Sequence, residues 1–226
     1  MKTHHLLYSL LLIGGVWTSL KAQGNAEIYA LSMTTIDGET SFGEPQNLSN
    51  NPGYDSQPSF FDSTTLLFSS TRKGQTDIAQ YSFLDKTKIW LSSTRQGSEY
   101  SPLLIPNDRA VSAIRLDTTG LQRLYRYPLS GEASQLLFQK AKIGYHVWVD
   151  ANQLVATVLV ENRMDLVLAQ TNPEEIQTVF DNVGRSLHRI PSSNKVSFVQ
   201  TNQGKSTVYA LDPSNGTIET LAALNF

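Results

Sequence analysis

The sequence predicts an all-β fold, a β-propeller of four-stranded antiparallel blades. Three observations carry this. Four short strand patterns recur in fixed order, the repeat is about 42–46 residues long, and no segment of useful length has helical periodicity. Short strands at that period are the sequence mark of propeller blades.

The first strand of each unit starts at Pro58, Pro102, His146 and His188, at intervals of 44, 44 and 42. Turn formers follow: Asp62-Ser63, Asn107-Asp108, Asp150-Ala151-Asn152 and Ser192-Ser193-Asn194. The second strand begins at Leu66, Ala110, Leu154 and Val196 and repeats the same intervals. The third begins at Ile28, Ile78, Leu124, Leu166 and Val208. The fourth is anchored by Leu48, Leu91, Leu137, Val179 and Leu221. Turn-rich stretches such as Pro128–Gly131 and Asp212–Gly216 separate third from fourth strands.

A lone four-stranded sheet cannot bury both faces. Stacked blades cover each other, which explains why Leu154–Val160 is apolar almost without alternation. Pro173–Ile176 is the one stretch read as a turn of helix. The first unit, Glu27–Asn50, supplies only strands three and four. The expectation is four complete blades plus a half blade, an open or truncated ring whose missing pair would come from beyond residue 226. Unpaired edges of that kind favour self-association.

Residues 1–22 read as an export signal. Lys2 gives a positive start, Leu6–Val16 is nearly all apolar, and small residues lead to Ala22. The apolar stretch is shorter than the roughly 20 residues of a membrane span. The mature domain is then 23–226, periplasmic or extracellular, with no stable membrane span.

The net charge is −2 and no Lys/Arg run occurs. Nucleic acid is therefore not an expected partner, since phosphate backbones call for a basic surface. The absence of cysteine removes disulfides, thiolate chemistry and Cys-ligated zinc. No cofactor is expected.

The segment from Asn47 through Tyr54-Asp55-Ser-Gln-Pro58-Ser-Phe60, continuing to Leu67-Phe-Ser-Ser-Thr-Arg72-Lys-Gly74, resembles the TolB-like, WD40-like propeller repeat. It departs at Phe61–Thr64, where that repeat usually has Ser-Pro-Asp-Gly. Ser98–Pro102, Gly144–Trp148 and Gly184–Pro191 are similar to segments of exported Bacteroidetes proteins of the TolB-like type. The resemblance spans roughly 28–221. It implies the fold well and function poorly, because propellers host many activities.

Loops before the first strands converge at the channel mouth. His146 and His188 are equivalent by phase, and Glu99, Tyr100, Trp148 and Arg185 are expected beside them. The set reads either as a ligand pocket or as inter-blade packing. Two histidines are too few to specify a metal site. Some TolB-related propellers hold a metal with channel histidines for polysaccharide lysis, so the resemblance also implies a glycan alternative. Arg72 and Arg115, in the second-to-third turns, are either solvated tips or a protein-contact rim. Gly184–His188 lacks the second glycine of a hydrolase nucleophile elbow, and no strand-to-helix turn is expected there. The functional expectation is a non-enzymatic scaffold for a protein partner. The alternative is a small-molecule or glycan site at the channel mouth.

Overall fold

The computed structural model describes residues 25–224. The export-signal reading of residues 1–22 lies outside them. Among the described residues there are twenty strands and no helix.

Four antiparallel four-stranded sheets follow one another along the chain. Blade one is β5 (Asp55–Asp62), β6 (Thr65–Arg72), β7 (Gln75–Ser82) and β8 (Thr87–Trp90). Blade two is β9 (Gly97–Leu104), β10 (Ala110–Asp117), β11 (Gln122–Pro128) and β12 (Gln135–Leu136). Blade three is β13 (Ile143–Trp148), β14 (Gln153–Val160), β15 (Arg163–Thr171) and β16 (Glu174–Phe180). Blade four is β17 (Leu187–Arg189), β18 (Val196–Asn202), β19 (Lys205–Leu211) and β20 (Ile218–Leu224). Before them, β1 (Tyr29–Ala30) pairs with β4 (Gln46–Asn47) as a two-stranded half blade. The arrangement is a β-propeller of four blades, with strands three and four of a further unit in front.

Two features depart from the sequence expectation. A hairpin, β2 (Met33–Ile36) with β3 (Glu39–Phe42), is inserted between the two strands of the half blade. Glu174–Ile176, read as a turn of helix, belongs to strand β16 and pairs with β15. Its side chains lie at a sheet edge, where cross-strand hydrogen bonds outweigh the modest helix preference of two glutamates.

One apolar layer fills each contact between neighbours. Ile28 and Leu48 meet Leu66, Phe68 and Ala79 behind blade one. Leu67 and Ile78 meet Val111, Tyr125 and Tyr127 of blade two. Leu124 and Phe138 meet Ile143, Leu154 and Val167 of blade three. Val155 and Leu166 meet Val196, Phe198 and Leu211 of blade four. Successive residues such as Leu154 and Val155 thus serve opposite neighbours, so these strands carry no polar face.

Tight hairpins use the residues that tolerate positive φ. Lys73-Gly74 (49°, 83°) joins β6 to β7, and Gln203-Gly204 (48°, 79°) joins β18 to β19. Two left-handed central residues give the turn whose twist matches the flanking strands. The same conformation recurs inside the two inner strands, at Gln57 (57°) and Ser101 (52°), 44 residues apart. The β5–β6 and β9–β10 registers shift at these places. These are bulges, which bend a strand and re-aim its side chains.

Candidate functional site

The inner strands β5, β9, β13 and β17 surround a cavity of about 740 Å³. That lies within the roughly 300–1,000 Å³ usual for ligand pockets. Each blade contributes because each inner strand starts at the same phase of the repeat.

His146, Trp148, Arg185 and His188 all line this cavity. The two equivalent histidines differ sharply, however. His188 is exposed, whereas His146 is 4% exposed. His146 Nε2 lies 2.7 Å from Ser112 Oγ, and Trp148 Nε1–H donates to the same oxygen at 2.8 Å. Ser112 in turn donates to the Leu103 carbonyl at 3.2 Å. One hydroxyl of blade two therefore holds two rings of blade three. Burial pushes the His146 imidazole down to about 3, so the ring is neutral at ordinary pH. Its Nδ1 is buried without a hydrogen-bond partner. Sequence reasoning missed Ser112. The available signal was a serine where the equivalent positions hold Phe68, Ala156 and Phe198.

Glu99 and Tyr100 do not line the cavity, which corrects their expected place beside the histidines. Glu99 precedes the Ser101 bulge and faces the layer between blades one and two, where it is fully buried. Tyr127 Oη donates to it at 3.0 Å and Ser92 Oγ at 3.2 Å. Burial raises its carboxyl to about 7; bonds from Thr94 and Tyr127 oppose this, and the nearby Asp77 adds to it. Burial and the Glu99 charge push the Tyr127 phenol up as well. Tyr100 stands edge-on to Tyr54, with ring centroids 6.4 Å apart.

Arg72 ends β6, and Arg115 lies inside β10, which corrects its expected place in a turn; neither is freely solvated. Arg72 Nε donates to Asp77 at 2.6 Å and its Nη2 to the Ser92 carbonyl at 2.7 Å, with the guanidinium 4.3 Å above the Trp90 ring. Arg115 sits 3.4 Å above the Tyr125 ring and donates to Ser134 Oγ at 3.3 Å. Cation–π stacking of this kind fixes both side chains against their own blades.

Among the described residues, no three His, Asp or Glu side chains converge to hold a metal. The described residues include no helix long and apolar enough to cross a membrane.

A second surface was not foreseen. Tyr29, Leu31, Met33, Ile36 and Phe42 are each more than half exposed. Met33 faces Phe42 across the inserted hairpin, and Tyr29 and Leu31 lie just before it in the chain.

No family model matches the chain, and no curated protein matches it. Solved structures do. TolB from Acinetobacter baumannii is similar with a TM-score of 0.65 and 13% identity, over 84% of this chain and 50% of that one. TolB from Agrobacterium tumefaciens gives 0.64 and 13%, over 88% and 82%. A chain of the nidogen/laminin complex gives 0.65 and 11%, over 85% and 76%. The chain thus spans half the length of the Acinetobacter protein. The fold is that of a TolB-like β-propeller.

Proposed function

We propose that this propeller is an exported, non-enzymatic scaffold that binds a protein partner in the periplasm or outside the cell. The observation that carries the reading is the run of exposed apolar side chains on the half blade and its hairpin, Tyr29, Leu31, Met33 and Phe42. Contiguous apolar surface on a protein exported into water marks contact sites. Tyr and Met are among the residues enriched at interfaces, as is the Arg of the channel face. A propeller of this fold occurs in the nidogen/laminin complex, which is consistent with binding but does not transfer a partner.

The test is affinity capture from envelope extracts with the wild-type chain and with Met33→Asp/Phe42→Asp. A protein retained by the first and lost with the second is the expected result. Equal retention by both would remove the hairpin from the interface, and Arg72→Ala/Arg115→Ala would then examine the rim. No partner that distinguishes any of these chains counts against the scaffold.

A second reading is favoured by the cavity itself. Its size and its shared construction from four blades suit a small-molecule or glycan site at the channel mouth. A thermal-shift screen comparing wild type, His146→Ala and His188→Ala tests it. The site fails if ligand responses are the same in all three.

A further inference from the structure

We infer that the central cavity takes a small carboxylate bearing an apolar tail. The inference rests on the second reading above and specifies its ligand class. Its basis is an uneven distribution of charge around the cavity.

One side of the cavity is basic. Arg185 and Arg189 line it, with His188 between them, all from β17 and the residue run leading into it. All three are exposed. Arg185 makes no hydrogen bond or ion pair among the described residues. Arg189 reaches only the Trp148 and Val149 carbonyls, each at 3.4 Å. Both guanidinium groups thus retain free donors, and their planar fork matches a carboxylate.

The facing walls carry no charge. Blade one contributes Pro58 and Phe60, and blade two Pro102 and Leu104, beside the uncharged Gln57, Ser59 and Ser101, of which the Gln57 and Ser59 side chains are bonded within the wall. No Asp or Glu lines the cavity. His146 adds no positive charge, since burial keeps it neutral. Glu99, a carboxylate that would repel an anion, is turned into the layer between blades one and two. A ligand spanning the cavity therefore meets arginine at the fourth blade and uncharged, largely apolar surface at the first two. A neutral sugar would leave the arginines unpaired. An inorganic anion would leave the apolar walls empty.

Calorimetric titration of the full chain with decanoate, decanol and decyltrimethylammonium tests this. Decanoate is expected to bind once per chain, with decanol at least ~10-fold weaker and the cation weaker still. Octanoate should bind less tightly than decanoate, by up to about fourfold for each methylene lost. Arg185→Gln/Arg189→Gln, both at exposed positions, should weaken decanoate about tenfold and leave decanol unchanged. Phe60→Ser should weaken both. Far-UV circular dichroism confirms that each variant is folded. If decanol binds as tightly as decanoate, or the arginine variant binds decanoate normally, the anionic class is wrong while a cavity ligand survives. If Phe60→Ser leaves decanoate binding unchanged, the ligand lies elsewhere and the inference falls. If none of the compounds binds up to its solubility limit, the inference falls, and the thermal-shift screen decides the small-molecule reading separately.

Discussion

The side-chain carbonyl of Gln57 accepts the backbone N–H of Ser101 at 2.8 Å. Both residues are bulges in left-handed conformation, at the same phase of adjacent blades. The bulge of one inner strand is thus tied to the bulge of the next. Gln57 also accepts from Ser69 Oγ at 3.2 Å, and Ser59 Oγ donates to the Pro102 carbonyl close by. Polar bonds stitch blades one and two at the channel wall, inside the apolar layer.

Gln57→Leu should therefore lower stability by about 1–3 kcal/mol, because two donors lose their acceptor in a partly buried place. Urea denaturation reads this as a lower midpoint with an unchanged slope. An unaltered midpoint would mean that water replaces the glutamine at no cost.

Ser112→Ala should cost more, about 2–4 kcal/mol, since it strands both the His146 and the Trp148 nitrogens in a fully buried site. Tryptophan emission should change with it. His188→Ala, at an exposed position, should stay within about 0.5 kcal/mol of wild type. A larger cost for His188→Ala than for Ser112→Ala would reverse the assignment of structural and free histidine.

Glu99 and His146 give opposite pH dependences. Glu99 titrates at about 7 in the fold against an ordinary 4.5, so the folded state holds the extra proton between these values. Its contribution is therefore fully present below about 4.5 and is lost as pH rises through 7. His146 stays neutral down to about 3 against an ordinary 6.5, so the unfolded state takes up the proton first. Its contribution is present above 6.5 and is lost as pH falls toward 3. Between about 4.5 and 6.5 the two slopes oppose each other. Glu99→Gln removes one of them. It should be more stable than wild type at pH 8, by about 3 kcal/mol, and close to it at pH 4.5. Chemical denaturation across that range checks the difference; a constant offset at all pH values would show that folding does not raise the Glu99 pKa.

Export is tested directly. Mass spectrometry of the chain recovered from outside the cytoplasm should find Gln23 as its first residue, following cleavage after Ala22. A chain that retains residues 1–22 in every fraction would contradict the signal.

Much of this structure is legible in the sequence because a propeller repeats one local pattern, and the apolar phase of each strand is set by its two neighbours. The four blades and the half blade follow from anchors such as Leu66, Ala110, Leu154 and Val196. The inserted hairpin leaves a mark in the sequence as well. Third and fourth anchors are 20 residues apart at Ile28 and Leu48, against 13 at Ile78 and Leu91. The place of Glu99 departs from the sequence expectation for a physical reason. Alternation assigns a side chain to one face, and a bulge two residues on reverses the assignment, while nothing in Ser101 announces a positive φ. Ser112 reads as a small residue in an apolar strand, since its two partners lie on another blade.

The Ser112 hydroxyl also bears on how such a chain could have grown. A repeat protein lengthens when a unit is copied, and a copy inserts freely if each unit needs only apolar neighbours. Blade three does not meet that condition. Transplanted or duplicated alone, it would bring His146 and Trp148 to a seam where the facing position holds phenylalanine or alanine, as at Phe68, Ala156 or Phe198. A recombinant chain that separates blades two and three should therefore fail at that seam, as one that separates blades one and two should at the Gln57–Ser101 seam.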